Sequence, residues 1–168
     1  IYNQFMDKKY QIILYGATGF TGRLCAEYFK ANYPDLNWAI SGRNKKKLED
    51  LKNELNLDCD IFVADSEDYA AIQNFVKQTK VVLSAAGPFA RYSTKVVEAC
   101  VECKTHYTDI TGENHWVKGL IDRFHEKAAL DGTRIIPSCG YDSIPSDMGV
   151  YYSVTRSEQP VSHVTVYH

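Results

Sequence analysis

The sequence predicts a doubly wound α/β domain with a parallel sheet ordered 3-2-1-4-5-6, and three observations carry that expectation. Short β-rich runs alternate with longer amphipathic runs from Gln11 to Pro137. Parallel neighbours need crossover connections, and helices are the usual crossover. The first β run, Gln11-Ile12-Ile13-Leu14-Tyr15, is nearly continuous in apolar residues, as expected of a strand buried on both faces. Glycines follow it directly and lead into an amphipathic run, the arrangement at the switch point of such a sheet.

The elements follow in order. After the glycines, Leu24, Cys25, Tyr28 and Phe29 mark the apolar face of a helix. Trp38-Ala39-Ile40 reads as a second strand, leading through Ser41-Gly42-Arg43 into a helix that carries Leu48, Leu51 and Leu55. Asp60 to Ala64 is the third strand, followed by a helix with Ile72, Phe75 and Val76, for which Ser66 is the expected cap. Val81 to Ser84 is the fourth, before a helix with Val96, Val97 and Val101. His106 to Ile110 is the fifth; Val117, Leu120, Ile121 and Phe124 mark the next helix; Arg134 to Pro137 is the sixth. The tail adds a helix over Ser146–Val154 with a Ser cap and an alternating, strand-like run over Val161–His168. Residues 1–150 are therefore expected to form the main domain and 151–168 the beginning of a truncated second α/β domain. An unpartnered β run is the reason for expecting truncation.

Composition narrows the function. The chain has 168 residues, 45% of them hydrophobic and 24% charged, which suits one domain with a full core. A formal net charge of -2 gives no attraction to nucleic acid or to an anionic membrane. The run Lys45-Lys46-Lys47 is followed at once by Glu49 and Asp50, as on a solvated helix start. No apolar stretch approaches the roughly 20 residues of a membrane span, and Ile1 to Lys9 has no apolar core of a secretory signal. Five cysteines (Cys25, Cys59, Cys100, Cys103 and Cys139) and no glycosylation sequon point to a reducing, cytoplasmic compartment. Cys100-x-x-Cys103 ends an apolar-periodic segment, whereas a redox pair opens a helix, so packing is its expected role. No metal site is expected.

The strongest motif is Gly16-Ala17-Thr18-Gly19-Phe20-Thr21-Gly22, set between a buried strand and a helix. Gly16 permits the turn, Gly19 lets backbone approach a pyrophosphate, and Gly22 lets the helix pack closely on the sheet. The amides from about Gly19 to Thr21 open the helix and present its positive end to an anion, with Thr18 and Thr21 as hydroxyl donors. The end of the second strand selects the cofactor. NAD-binding folds place a carboxylate there for the ribose hydroxyls; this chain has Ser41-Gly42-Arg43-Asn44 and no acid before Glu49. Arg43 can stack on adenine and fork onto a 2′-phosphate, assisted by Ser41 and Lys45 or Lys46. NADP(H) is thus expected over NAD(H). Asp65, ending the third strand, either accepts from the adenine amino group or turns the chain into the next helix.

One oxidoreductase mechanism fails the test of spacing. A Tyr-x-x-x-Lys pair is absent, since Tyr92 precedes Lys95 by three positions and no other tyrosine fits. A different resemblance covers nearly the whole chain. The glycine turn, Ser41-Gly-Arg43 with Lys47-Leu-Glu49, Ala86-Gly-Pro-Phe89, Asp109-Ile-Thr-Gly-Glu113 and Cys139-Gly-Tyr-Asp-Ser-Ile-Pro-Ser-Asp147 occur in this order. The chain resembles the saccharopine dehydrogenase-like oxidoreductases, relatives of saccharopine reductase that include trans-acting enoyl reductases. Ser93, where Gly commonly follows the Tyr, and Tyr141, where Phe is usual, depart from that pattern. The resemblance implies a Rossmann NAD(P)-binding domain followed by a mixed α/β domain that shapes the substrate pocket. It also implies hydride transfer to or from an imine or enoyl-type substrate, with any homo-oligomer formed through the missing domain.

Physically, Ala85 and Ala86-Gly87-Pro88 form a small-residue loop where backbone can approach the nicotinamide ribose. Glu113 either places a carboxylate beside the same crevice or caps the following helix. Asp142 is the candidate acid/base or substrate anchor, with a turn or capping role beside Ser143 as the alternative. A non-catalytic dinucleotide sensor or scaffold is the second functional class compatible with the fold.

Overall fold

In a computed structural model, residues 8–167 are described. The expectations for residues 1–7 and for His168 lie outside them. The elements are β1 (Tyr10–Tyr15), α1 (Phe20–Asn32), β2 (Trp38–Gly42), α2 (Lys45–Glu54), β3 (Asp60–Val63) and α3 (Tyr69–Val76). They continue with β4 (Thr79–Ser84), α4 (Phe89–Tyr92), α5 (Thr94–Glu102), β5 (His106–Asp109), α6 (Asn114–Asp131), β6 (Ile135–Ile136) and α7 (Ile144–Arg156). The six strands form one sheet in the order β3-β2-β1-β4-β5-β6, every pair parallel. The chain is a Rossmann-type doubly wound domain, as its alternation predicts.

Alternation along β1 divides the core. Ile13 and Tyr15 pack on one face with Phe75, Val82, Val96, Val97, Tyr107, Trp116 and Leu120, beneath α3, α5 and α6. Leu14 packs on the other with Ala26, Phe29, Trp38, Ile40, Leu48 and Leu51, beneath α1 and α2. A strand with helices on both faces has no polar side to offer, which is why β1 and β2 read as continuous apolar runs. The register Tyr15↔Ser41 and Tyr15↔Ser84 brings the ends of β1, β2 and β4 level. Their loops therefore open onto one crevice.

Several local expectations change. The cap of α3 is Asp68, whose side chain accepts from Ala71 N at 3.0 Å, and not Ser66. Asp65 closes a tight turn three residues earlier, accepting from Glu67 N at 2.9 Å, so the helix starts later than the Asp-Ser-Glu signal implies. The tail helix begins at Ile144, after Ser143, and not at a Ser146 cap. It buries no residue. Residues 161–167 form no strand: their alternation assigns faces, but a strand exists only once a neighbour takes its backbone hydrogen bonds. Cys100 is buried and Cys103 half-buried, both as free thiols, and burial pushes both thiols above their ordinary pKa. No described helix is long and apolar enough to cross a membrane.

Candidate functional site: a crevice at the carboxyl edge of the sheet

The glycine turn is built by contacts that leave no room for side chains. Gly16 has φ of 82°, a region L-residues rarely occupy. A Cβ there would also lie 2.8 Å from Ala86 N and 2.9 Å from Ala86 Cα. At Gly22, a Cβ would fall inside the Gly16 carbonyl oxygen and 2.8 Å from Ala17 Cα. Gly19 is different: its only near neighbour would be Gly16 O at 3.4 Å, so its outer side is open. The turn is pinned to β2, where the Ser41 carbonyl accepts from Gly16 N at 2.9 Å and Ala17 N at 3.2 Å. It is pinned to β4 by the bond from Ala85 N to Tyr15 O, 2.9 Å.

Helix α1 starts at this turn without a side-chain cap and without an acid in its first turn. Helices α2 and α3, by contrast, are capped by Asn44 and Asp68. The first amides of α1 have no intrahelical acceptor, and they carry the positive end of the dipole. The N-cap of α1, Gly19, lines a crevice of about 200 Å³. Its floor is Tyr15 and Gly16, one side is Thr18, Gly19, Gly42, Arg43 and Ser66, and the other is Ala85, Ala86, Gly87 and Tyr92.

Of the residues expected to hold a dinucleotide, Gly16, Thr18, Gly19, Arg43, Ala85, Ala86 and Gly87 line this crevice together. Phe20 and Thr21 lie just beyond it on the first turn of α1, with the Phe20 ring almost fully exposed. Pro88 caps α4 through its backbone position. Asp65 stands at the rim beside Ser66, engaged in its own turn. Ser41 differs from expectation. Its side chain is fully buried and its hydroxyl has no partner among the described residues; its contribution to the site is the carbonyl that holds the turn. Lys45 leans along its helix toward Glu49 at 3.7 Å. Asp142 does not line the crevice. It lies in the loop after β6, its carboxylate against Gly140 and Gly112.

Tyr15, Gly42, Ser66 and Tyr92 line the crevice without having been singled out for it. Tyr15 ends an apolar strand, so its pattern reads as core; its ring does stack on Phe75 at 5.7 Å. Burial first, then the nearby Asp65 charge, push its phenol up to about 12. The signal for Tyr92 lay in its place three residues after Phe89, within one turn of a small-residue loop.

A second set of residues organises the loops beside the crevice. Asp109, buried at the end of β5, accepts from Tyr107 Oη at 2.8 Å, Thr111 N at 3.0 Å and Ser138 N at 2.9 Å. Its carbonyl accepts from Cys139 N at 2.7 Å. Ser138 has φ of 61°, a strained conformation for a residue with a Cβ, and the Asp109 carboxyl holds it there. Burial beside this carboxylate drives the Tyr107 phenol far above its ordinary pKa, so Tyr107 remains a donor. Ser84 and Ser93 complete the buried group, their hydroxyls 2.9 Å apart. Ser93 has φ of -111°, so its backbone is one that a residue with a side chain adopts without strain.

Comparison with known proteins agrees with this geometry. Residues 12–136 match the family model described as the saccharopine dehydrogenase NADP binding domain. The chain is 37% identical over 154 residues to a trans-acting enoyl reductase of Mycobacterium tuberculosis strain H37Rv, a match covering 90% of this chain and 37% of that protein. The Mycobacterium leprae protein of the same name is 37% identical over 152 residues, covering 89% and 36%. The chain thus spans little more than a third of the length of these relatives. Among solved structures, apo saccharopine dehydrogenase (L-Glu forming) from Saccharomyces cerevisiae superposes with a TM-score of 0.72 at 17% identity, over 87% of this chain and 31% of that one. That likeness is one of fold.

Proposed function

The chain belongs to the saccharopine dehydrogenase NADP-binding domain family, and on that premise we propose that it is the cofactor half of an oxidoreductase that passes hydride between NADP(H) and an imine or enoyl-type substrate. One observation supports this above the rest. Thr18 and Gly19, which lead into the uncapped start of α1, line the crevice, and its β2 side presents Arg43 and no carboxylate. An acid there would repel a 2′-phosphate, whereas a guanidinium forks onto it. The residues present therefore fit NADP(H).

The bound nicotinamide supplies the hydride, and the chain supplies position and field. The Phe20 and Thr21 amides would meet the pyrophosphate, with Thr18 and Thr21 hydroxyls beside them, while the Gly19 amide closes the turn by donating to Gly16 O at 3.1 Å. Gly16 and Gly22 let the turn pack against Ala86 and α1, and Gly19 leaves its open side free of a Cβ. Arg43 holds the 2′-phosphate, and Asp65 stands near the adenine edge. Ala85, Ala86, Gly87 and Pro88 bring backbone to the nicotinamide ribose. Asp142 belongs to the same proposal as an anchor or proton-transfer group for substrate. So do the division into residues 1–150 for cofactor and 151–168 as the start of a substrate domain, any self-association through that domain, and a cytoplasmic setting.

Two experiments test the reading. Thermal unfolding should show greater stabilisation by NADPH than by NADH, through linkage of binding to folding. Arg43→Ala should weaken NADPH binding by about tenfold or more and leave NADH unchanged. Equal stabilisation by the two cofactors would remove the NADP assignment. For the reaction, the full-length protein should consume NADPH when offered imino or enoyl substrates. Cofactor binding with no turnover of either class would favour a sensor.

A further inference from the structure

The β4–α4 loop supplies the wall of the crevice opposite Arg43, yet nothing within α4 holds that wall. The helix has four residues, and Pro88 at its N-cap offers no side-chain acceptor. The amides of Phe89 and Ala90 at its start have no intrahelical partners. One carboxylate from another loop takes both. Glu113 Oε1 accepts from Phe89 N at 2.7 Å, and Oε2 accepts from Ala90 N at 3.0 Å.

Glu113 occupies the N-cap position of α6 but makes no side-chain bond to its own helix. It is fastened from behind. Its amide donates to Thr111 Oγ1 at 3.0 Å, and Thr111 N donates to Asp109 Oδ1 at 3.0 Å. Hydrogen bonds thus run from the end of β5 to the first turn of α4. Aromatic packing adds a parallel tie: the Phe89 ring stacks on Trp116 at 6.3 Å, and Trp116 Nε1 donates to Thr94 Oγ1 at 2.9 Å.

We infer that Glu113 is a positioning residue for the dinucleotide: by clasping the start of α4 it sets Ala86, Gly87 and Tyr92 as the wall of the nicotinamide half of the crevice. This deepens the cofactor reading above and rests on it. The tolerance of that wall is small, since Ala86 backbone already lies against Gly16 with no room for a Cβ between them. Release of α4 changes the width of the crevice on this side alone. The adenine side is built from Gly42, Arg43 and Ser66 on β2, β3 and their loops, and Glu113 makes no bond there. A carboxylate that merely stabilised the fold would affect both halves alike.

The test compares two ligands on the full chain by titration calorimetry. NADPH spans both halves of the crevice, and adenosine 2′,5′-bisphosphate occupies only the adenine half. Glu113→Ala should weaken NADPH by about tenfold while leaving the bisphosphate within about twofold. Glu113→Gln keeps one acceptor oxygen and should fall between wild type and Ala. Leu120→Ala, a core truncation in α6, should lower the melting temperature and leave both affinities unchanged. Equal changes for the two ligands in Glu113→Ala, no change in either, or a selective NADPH loss in Leu120→Ala would overturn the inference. If Glu113→Ala does not fold, Glu113→Gln decides: selective loss supports the role, and an unchanged affinity ratio removes it. If wild type binds neither ligand, the dinucleotide reading itself falls, a failure distinct from wild-type binding without selectivity.

Discussion

Replacing Gly22 with alanine should destabilise the chain by about 3 kcal/mol and abolish dinucleotide binding. The reason is steric and local. The added methyl would meet the Gly16 carbonyl oxygen and Ala17 backbone, and backbone cannot turn aside as a flexible side chain can. Relief requires α1 to move away from the end of β1, which draws Gly19 and the start of the helix away from the crevice. The same substitution elsewhere supplies the control. Gly119, in the middle of α6, has nothing within 4 Å of a built Cβ, so Gly119→Ala should stabilise the protein by about 0.5–1 kcal/mol through helix propensity. Urea unfolding of both variants, with NADPH titration of each, checks the contrast. A Gly22→Ala protein that binds NADPH normally would refute the close-packing account of the turn.

Asp109→Ala should cost about 3 kcal/mol or more, and Asp109→Asn much less. Truncation leaves a buried phenol and two backbone amides, from Tyr107, Thr111 and Ser138, without their acceptor. Asparagine can still turn its carbonyl oxygen to the two amides, and the Tyr107 hydroxyl can reverse to accept from the new NH₂. The effect extends beyond stability, because Thr111 holds Glu113 and Ser138 begins the loop toward Asp142. Chemical denaturation measures the energetic difference. Amide exchange at Thr111 and Ser138 should quicken in the alanine variant first. Equal stability of the two variants would show that the three donors find other partners.

Much of this protein was legible from residue order alone. Continuous apolar runs at Ile12–Tyr15 and Trp38–Ile40 identified central strands, because the two helical layers demand apolar faces on both sides. The glycine turn was legible because its demands are short-range: a positive φ at Gly16 and contacts within six residues at Gly22. Arg43 and the missing acid after β2 were equally local. Caps were less legible, since Asp65, Ser66 and Asp68 all carry suitable oxygens and the backbone path decides among them. The strand expected at Val161–His168 failed for a related reason: alternation describes a surface, and a strand needs a second chain segment to bond.

By itself the sequence determined the parallel, helix-covered sheet, the place of the glycine turn and the sign of the charge beside it. Each follows from sterics and hydrogen bonding between near neighbours, or from the need of parallel strands for crossovers. Only the tertiary structure decided that the Ser41 hydroxyl is buried while its carbonyl serves the turn, that Asp109 ties two loops to its own strand, and that Glu113 clasps a helix other than its own. Those partners lie on different strands and loops, with 24 positions separating Glu113 from Phe89. Charge and hydrogen-bonding capacity are properties of a residue. Which donor meets which acceptor is a property of the packed sheet.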